Sequence, residues 1–310
     1  NTFFSIDLAR YSSSVAQEFN DCVRSIIEEM AKPNLADYFP VFRCIDPLGV
    51  RRRTTTQFNK LFTFFQEMIE QRLKTSSTSS SNRDILDILL NLSRERDAEL
   101  TLDDINHMLL DFFAAGTDTT SSTLEWAMTE LLRNPKVMAK AQTEIECVLG
   151  KGACLVQESD IPGLPYLQAI VKETLRLHPT IPFLLPRKAD TDVELFGYSV
   201  PKNAQVLVNV WAIGRDPSEW LNPETFLPER FLESKVDLKG QDFKFIQFGA
   251  GRRMCPGLSL GYRMLNLMLA ALLHCFDWEL VDGMSAEHID MTEKVDFTLH
   301  KAIPLRAVPL

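Results

Sequence analysis

The chain has little positive charge to offer a polyanion. Its 310 residues carry 33 Lys and Arg against 42 Asp and Glu, which gives a formal net charge of −9. No basic stripe or basic tail runs along the sequence. Because nucleic-acid binding depends on clustered Lys and Arg that neutralise phosphates, the composition argues against a nucleic acid as a partner.

Cysteines are few and lack the regular spacing of a disulfide framework. The six cysteines are scattered along the chain, at 22, 44, 147, 154, 255 and 275. This pattern indicates reduced thiols in a cytosol-facing protein rather than three disulfides. No Cys-x-x-Cys occurs and no histidine lies near Cys255 in the sequence, so a zinc site at Cys255 is not indicated.

Long apolar runs are also missing. The longest candidate, Leu265 to Phe276, is too short to span a bilayer, and the N-terminus has no basic-then-apolar signal. The aromatic connection Tyr38 to Phe42 is interpreted as core packing, with a membrane-touching loop as the alternative. Because the chain begins at Asn1 without a methionine, we expect a fragment or a processed product.

The sequence is 45% hydrophobic, and helical periodicity covers most of its length. Helices are predicted at 15–31, 47–74, 84–92, 101–133, 135–149 and 164–177. The pattern becomes strand-like from 190 to 210, in the pieces 193–196, 198–200 and 205–210, and again at 297–310. The pattern predicts a single domain over residues 1–310 that is mainly α-helical, with a minor, locally paired β component.

A glycine-rich loop near the C-terminus holds one cysteine. The stretch Phe248-Gly-Ala-Gly-Arg-Arg-Met-Cys255-Pro-Gly257 precedes an apolar run, Leu258 to Phe276, that predicts a mostly buried helix. At a helix start, backbone N–H groups and the helix dipole favour the thiolate form of Cys255. Glycines let the backbone lie close to a flat ligand, and a thiolate held this way suits an axial position on haem iron. The alternative is an inert buried cysteine in a common turn.

The middle of the longest predicted helix has an unusual composition. Ala115-Gly-Thr-Asp-Thr-Thr120, continued by Ser-Ser-Thr123, gathers a glycine, β-branched residues and hydroxyls that compete for backbone hydrogen bonds. One interpretation is two helices that meet at a polar loop. The other is a π-bulge or groove where a hydroxyl leaves its own helix, and it is favoured because apolar periodicity resumes in phase at Leu124.

Two Glu-x-x-Arg pairs occur at helical spacing. Glu130-Leu-Leu-Arg133 and Glu173-Thr-Leu-Arg176 each place an acid and a base on one helix face. By itself, such a pair predicts an ordinary surface ion pair. Context singles out the second pair, because Leu-His-Pro follows it directly and Pro228-Glu-Arg-Phe231 lies downstream.

Together these motifs resemble the cytochrome P-450 monooxygenases. Residues 248–257 match the family's haem-loop signature Phe-x-x-Gly-x-Arg-x-Cys-x-Gly, and 115–119 match its Ala/Gly-Gly-x-Asp/Glu-Thr motif. Five motifs follow the family's order, at 115–120, 173–176, 185–187, 228–231 and 246–257. Several blocks are especially similar to geraniol-hydroxylase-like enzymes of the plant microsomal branch.

The resemblance implies the cytochrome P-450 fold, here without the family's N-terminal helices, its membrane anchor and part of its sheet. It implies haem b as cofactor, with Cys255 as the ligand of the iron. The other implied cofactor contacts are Arg253, Arg187, Phe248, Gly249, Gly257 and Ala115. In the same way, Thr119 is expected to hydrogen-bond iron-bound dioxygen, and Asp118 to relay protons.

A structural triad is implied as well. Glu173, Arg176 and Arg230 are expected to form a buried network that braces the loop of Cys255. Loss of one member is expected to be costly, because it leaves a buried charge without its partner.

The resemblance also implies a substrate and partners. The expected substrate pocket residues are Phe112, Phe113, Ile181, Phe183 and Phe297. Their apolar character predicts a small hydrophobic substrate, and the resemblance to geraniol-hydroxylase-like enzymes implies that it is terpenoid-like. Electrons are expected from NADPH through NADPH–cytochrome P-450 reductase, at the cytosolic face of the endoplasmic reticulum membrane, with possible contact to the membrane surface. The alternative is a truncated, non-catalytic haem-binding remnant.

Overall fold

The computed structural model describes residues 13–32, 34–75, 84–95, 99–150 and 155–310. The chain divides into two compact units, Asn1–Thr117 and Asp118–Leu310. The single domain over residues 1–310 stays a prediction. Helices predominate throughout the described ranges, and every sheet in them has two strands. This is the mainly helical fold with a minor β component that the sequence predicts.

The first unit is built from helices with an aromatic core. Its helices are α1 (Ser13–Ala31), α2 (Leu35–Tyr38), α3 (Val50–Thr75), α4 (Ile85–Leu92) and the first part of α5 (Leu102–Arg133). In the core, Phe113 packs edge-on against Phe19 at 5.1 Å between ring centroids and stacks on Phe65 at 5.8 Å. These contacts tie α1, α3 and α5 together within the unit.

The aromatic connection between α1 and α3 does not pack in the core. Tyr38 is 70% exposed, Phe39 56% and Val41 76%. A four-residue helix followed by the 3-10 turn Pro40–Cys44 is too short to bury one whole face. The prediction of core packing for this segment is therefore wrong.

Helix α5 begins at a reciprocal cap. Thr101 N–H donates to Asp104 Oδ2 (2.8 Å), and Asp104 N–H donates to Thr101 Oγ1 (3.1 Å). This reciprocal pair of hydrogen bonds is a capping box. The helix is continuous from Leu102 to Arg133, so the interpretation of two helices meeting at a polar loop is wrong.

The polar stretch of α5 keeps regular α-helical geometry, with no π-bulge in this described helix. Thr123 Oγ1 donates to Thr119 O at 2.9 Å, so this hydroxyl is satisfied without opening the backbone ladder. Ser122 and Thr123 also bond outside the helix, because Ser122 Oγ donates to Leu299 O at 2.7 Å and Thr123 Oγ1 lies 2.8 Å from Thr180 Oγ1. Both residues thus bond to other segments of their own unit without a helix defect.

The second unit packs three long helices around an apolar core. They are α6 (Pro135–Leu149), α7 (Pro165–Leu177) and α9 (Leu258–Cys275), and the short α8 (Val210–Ile213) lies between α7 and α9 in the chain. Helices α6 and α7 both begin with proline, whose fixed φ suits the first helical turn. Each of the three long helices contacts the other two.

The strands form four antiparallel pairs in the described part of this unit. The pairs are β1 (Arg187–Lys188) with β4 (Gln205–Val206), β2 (Val193–Leu195) with β3 (Tyr198–Val200), β5 (Trp278–Leu280) with β8 (Ala307–Pro309), and β6 (Glu293–Val295) with β7 (Leu299–Lys301). The strand predicted at 205–210 ends early, at Val206. Asn209 accounts for this, because its side chain caps α8 by accepting from Ala212 N–H at 2.9 Å.

Helix α9 buries one stripe only. Its buried residues are Leu265, Asn266, Leu269, Ala270 and Leu273, so the prediction of a mostly buried helix is wrong. By length and composition alone, α9 is also the one described helix apolar enough to cross a membrane. Core helices meet the same criterion, and α9 packs against α6 and α7.

Candidate functional site

Cys255 lies in a loop that is closed by its own backbone. Cys255 N–H donates to Phe248 O at 2.9 Å, and Met254 N–H donates to Gly251 O at 3.1 Å. Gly249 and Gly251 have φ values of 76° and 68°, in the left-handed region where side chains are strained. The thiol is free and half-buried. The loop therefore holds one sulfur at a defined, accessible place.

The start of α9 lies directly beside this thiol. Gly257 is the N-cap of the helix, and a Cβ built there would lie 3.7 Å from Cys255 Sγ. Gly261 N–H donates to Gly257 O at 2.8 Å and opens the helical ladder. Pro256 precedes the helix. Because the N-terminus of a helix carries partial positive charge, it stabilises a negative sulfur next to it.

Two further observations fit a flat dianionic ligand such as haem. No ion pair or side-chain hydrogen bond joins Arg187 or Arg253 to the rest of the described chain, so both guanidinium groups are available for carboxylates. The side-chain amide of Gln247, beside Phe248, is buried with neither polar atom bonded within the described residues. A buried amide without partners is costly, so this loop fits a bound group better than an empty space. The residues present therefore fit haem.

The Glu173, Arg176 and Arg230 side chains are joined. Arg176 donates two hydrogen bonds of 2.8 Å to Glu173, from Nε to Oε2 and from Nη2 to Oε1. Arg230 Nε donates to Glu173 Oε1 at 2.9 Å, and Leu227 N–H donates to the same oxygen at 2.8 Å. Glu173 and Arg176 are completely buried. Burial strengthens these bonds, and it makes each of the charges dependent on the others.

A cluster of aromatic rings lies between this network and the segment that precedes the cysteine loop. The guanidinium groups of Arg176 and Arg230 lie 5.4 and 6.0 Å from the ring centre of Trp220. Trp220 contacts Phe231, and Phe231 packs on Phe245 with 5.1 Å between ring centroids. Phe245 lies three residues before Phe248. The triad thus reaches the haem-loop segment through packed rings, although its bracing role stays a prediction.

Two glycines allow close backbone approach around the triad and the loop. A Cβ on Gly214 would lie 2.5 Å from Arg176 O, and one on Gly240 would lie 2.6 Å from Gly249 O. Sequence reasoning did not single out either position. The only sequence signal is the presence of glycine in an irregular stretch, which does not tell which backbone approaches it.

The other Glu-x-x-Arg pair does not form the surface ion pair that the sequence predicts. Glu130 is buried and accepts from His178 Nε2 at 2.8 Å and from Asn134 Nδ2 at 3.2 Å. The ring of His178 stacks on Trp126 at 3.8 Å, and its Nδ1 lies 2.9 Å from Glu293 Oε1. This second buried network joins α5, the end of α7 and β6.

Glu293 is the outer carboxylate of that second network. Burial acts to raise the pKa of Glu293, but hydrogen bonds from His178 and Trp211 outweigh it and hold the pKa below its usual value. Arg215 lies 4.0 Å from the ring centre of Trp211 and pairs with Glu293 at 3.4 Å. The Trp211 and Arg215 side chains therefore both contact Glu293 and belong to this network.

Asp118 has partners that sequence reasoning missed. Thr298 Oγ1 donates to Asp118 Oδ2 at 2.5 Å, and His300 Nε2 lies 3.4 Å from the same oxygen. Thr298 Oγ1 also lies 2.5 Å from His300 Nε2. Thr298 is 180 residues from Asp118 in the chain and His300 lies beyond it, so spacing gives no signal for these partners. Only the packing of the β6–β7 hairpin on α5 brings them together.

The remaining predicted residues are spread over both units. Phe112, Phe113 and Ala115 belong to the first unit, and Asp118, Thr119 and all later site residues belong to the second. Phe183 is 43% exposed, whereas Ile181 and Phe297 are half-buried. Their assignment to a substrate pocket stays a prediction.

Comparison with known proteins identifies the family. The family model described as Cytochrome P-450 matches residues 1–303. A cytochrome P-450 monooxygenase of Lophophora williamsii is 61% identical over the whole chain, which covers 62% of that relative. Geraniol 8-hydroxylase of Swertia mussotii is 52% identical over 99% of the chain and 62% of the relative. Drimenol monooxygenase of Persicaria hydropiper is 52% identical over 99% and 61%.

A solved structure agrees with these relatives. A zebra fish cytochrome P-450 structure with progesterone superimposes with a TM-score of 0.81 at 30% identity, over 99% of this chain and 67% of that one. The chain thus spans about 62% of the length of the curated plant relatives named above. The motifs, the fold and a family match over nearly all residues lead to one conclusion: the chain belongs to the cytochrome P-450 family.

Proposed function

We propose that this chain is the haem-thiolate part of a plant monooxygenase that hydroxylates a small, hydrophobic, terpenoid-like substrate. The observation that carries the proposal is the Cys255 loop, with its half-buried free thiol beside the start of α9. Relatives named geraniol 8-hydroxylase and drimenol monooxygenase support a terpenoid alcohol as the substrate class.

The residues of this chain have separate tasks in that reaction. Cys255 Sγ binds the iron of haem b, and Arg187 and Arg253 hold its carboxylates. When bound, haem supplies the activation of O₂ with electrons that NADPH–cytochrome P-450 reductase delivers. Asp118 holds a proton at Oδ2. Thr119, on the same helix turn, provides its own side-chain hydroxyl as a hydrogen-bond donor. Glu173, Arg176 and Arg230 keep the cysteine loop in place.

The cellular setting follows from the same proposal. The enzyme works at the cytosolic face of the endoplasmic reticulum membrane, where its reductase and apolar substrates meet. The exposed aromatic segment Tyr38 to Val41 suits contact with that membrane surface.

The decisive experiment is the absorption spectrum of residues 1–310 with haem, reduced and bound to CO. A thiolate-shifted Soret band is expected for the parent and for Cys275→Ala. Cys275 is a matched control because it is a free cysteine at the other end of α9. Cys255→Ala is expected to lose the band. Absence of haem uptake, or a band that survives Cys255→Ala, would contradict the proposal.

The alternative is a haem-binding chain without turnover. Geraniol separates the two. With reductase and NADPH, a competent chain is expected to convert geraniol to a hydroxylated product and to consume NADPH in proportion. A normal CO spectrum without product would identify the alternative.

A further inference from the structure

A chain of three hydrogen-bonded side chains joins α5 to the β6–β7 hairpin. Thr298 Oγ1 lies 2.5 Å from Asp118 Oδ2 and 2.5 Å from His300 Nε2. All three residues belong to the second unit. Thr298 is 1% exposed, whereas the side chains of His300 and Asp118 are 26% and 24% exposed. A buried hydroxyl therefore links two groups that both have some access to water.

The donors and acceptors allow only one direction when Asp118 is ionised. A carboxylate accepts and cannot donate, so the Thr298 hydroxyl gives its hydrogen to Asp118 Oδ2. The Thr298 oxygen then accepts from His300, which requires hydrogen on Nε2. Hydrogen is thus ordered from His300 through Thr298 to Asp118, and the bond to the Asp118 carboxylate is charge-assisted.

We propose that His300 and Thr298 form a proton-uptake relay that recharges Asp118 from solvent. A proton from water binds His300 Nδ1, the Nε2 hydrogen passes to Thr298 Oγ1, and the hydroxyl hydrogen of Thr298 passes to Asp118 Oδ2. The threonine ends neutral, and the imidazole ends neutral with hydrogen on Nδ1, which it exchanges with water to restore Nε2–H. Histidine suits this task because it binds and releases protons near neutral pH. The proposal deepens the proposed function, on which it rests.

Asp118 is the ionic partner that His300 contacts directly, whereas the nearby lysines have other partners. Across the hairpin, Lys294 is the register partner of His300, and Lys294 Nζ pairs with Asp296 at 2.7 Å. The next residue, Lys301, points away along the strand alternation and donates to Asp290 O. The positive charge of Lys294 is therefore neutralised by Asp296 on the same hairpin.

The first test reads the imidazole itself and needs neither haem nor turnover. In the ¹⁵N NMR spectrum of residues 1–310, neutral His300 is expected in the Nε2–H form, with slow exchange of that hydrogen with water. Thr298→Val removes the acceptor at nearly constant volume and is expected to speed the exchange and mix the two tautomers. Thr298→Ser keeps the hydroxyl and is expected to restore the parent signal. An unchanged His300 signal in Thr298→Val overturns the relay.

The second test reads proton delivery in the haem-loaded chain with reductase and geraniol. His300→Gln keeps a donor toward Thr298 but cannot carry a proton. Product formation is expected to fall roughly 100-fold or more, as for loss of a positioned proton carrier. The ratio of rates in H₂O and D₂O is expected to rise as well, which a purely structural role would not cause. A parent-like rate and isotope ratio overturns the proposal.

The two proposals fail in distinguishable ways. A chain that takes up no haem contradicts the proposed function, whereas the NMR test still decides whether His300 is hydrogen-bonded through Thr298. A normal CO spectrum with parent-like turnover in His300→Gln contradicts the relay alone. Circular dichroism of each variant shows whether the fold is retained, and His288→Gln, on a separate exposed 3-10 turn, is the matched control.

Discussion

Replacement of Glu173 by glutamine is the sharpest test of the structure. The Glu173 carboxylate accepts four hydrogen bonds, two from Arg176, one from Arg230 Nε and one from Leu227 N–H. Glutamine has nearly the same shape, but its NH₂ group faces donors and its charge is lost. Two buried or nearly buried guanidinium groups then lack their anion. Breaking a buried ion pair in this way costs about 3–5 kcal/mol.

A matched control comes from the other Glu-x-x-Arg sequence. Glu130 is also buried on a helix, but its donors are His178 and Asn134 rather than two arginines. A glutamine oxygen accepts from the same imidazole, so Glu130→Gln is expected to cost about 1–2 kcal/mol, the range of an ordinary buried hydrogen bond. The same substitution in the same local motif therefore has two different expected costs.

Urea unfolding followed by tryptophan fluorescence measures the difference. All four tryptophans, at 126, 211, 220 and 278, lie in the second unit, so the signal reports that unit alone. Domains are stable by about 5–15 kcal/mol, and Glu173→Gln is expected to lower the unfolding midpoint clearly more than Glu130→Gln. Equal midpoints for the two variants would refute the account of the triad as a buried network with mutually dependent charges.

Two further outcomes follow from the glycines and from the second buried network. Gly261→Ala, in a helix where nothing lies within 4 Å of the new Cβ, is expected to raise the melting temperature, whereas Gly214→Ala, 2.5 Å from Arg176 O, is expected to lower it. Glu293 has a lowered pKa in the fold, since burial raises the pKa but the hydrogen bonds from His178 and Trp211, with the nearby positive charge of Arg215, together outweigh it. Its contribution is therefore present above roughly pH 4.3, the unfolded value, and is lost as pH falls through the lower folded value. Acid titration of stability is expected to be shallower in Glu293→Gln, and an identical curve would contradict this.

Local chemistry made much of the fold predictable. The helical periodicities, the Thr101 capping box and the prolines at the starts of α6 and α7 are encoded within a few residues, so the main helices were predicted nearly to their ends. The Cys255 loop was predictable for the same reason, because its turn depends on neighbouring glycines. Where the strand prediction failed, a competing local motif decided. The strand ends at Val206 because the Asn209 side chain caps α8 by accepting from Ala212 N–H, although the sequence up to Val210 favours a strand.

The partners of buried polar groups were the least predictable part. Glu130 and Glu173 have the same local pattern, yet one meets a histidine and the other two arginines. Asp118 meets Thr298 across 180 residues. A buried polar side chain needs a hydrogen-bond partner, and tertiary packing decides which residue that is. The residues next to it in the sequence do not identify this partner.

The sequence by itself thus determined the family, the order of helices and the cysteine that binds iron in the proposed function. These depend on local backbone preferences and short motifs that act without the rest of the chain. Only the tertiary structure decided which charges neutralise one another, which glycines lie against backbone and which side chains reach Asp118. Burial sets these choices, because once water is excluded each polar group depends on the partner that packing brings to it.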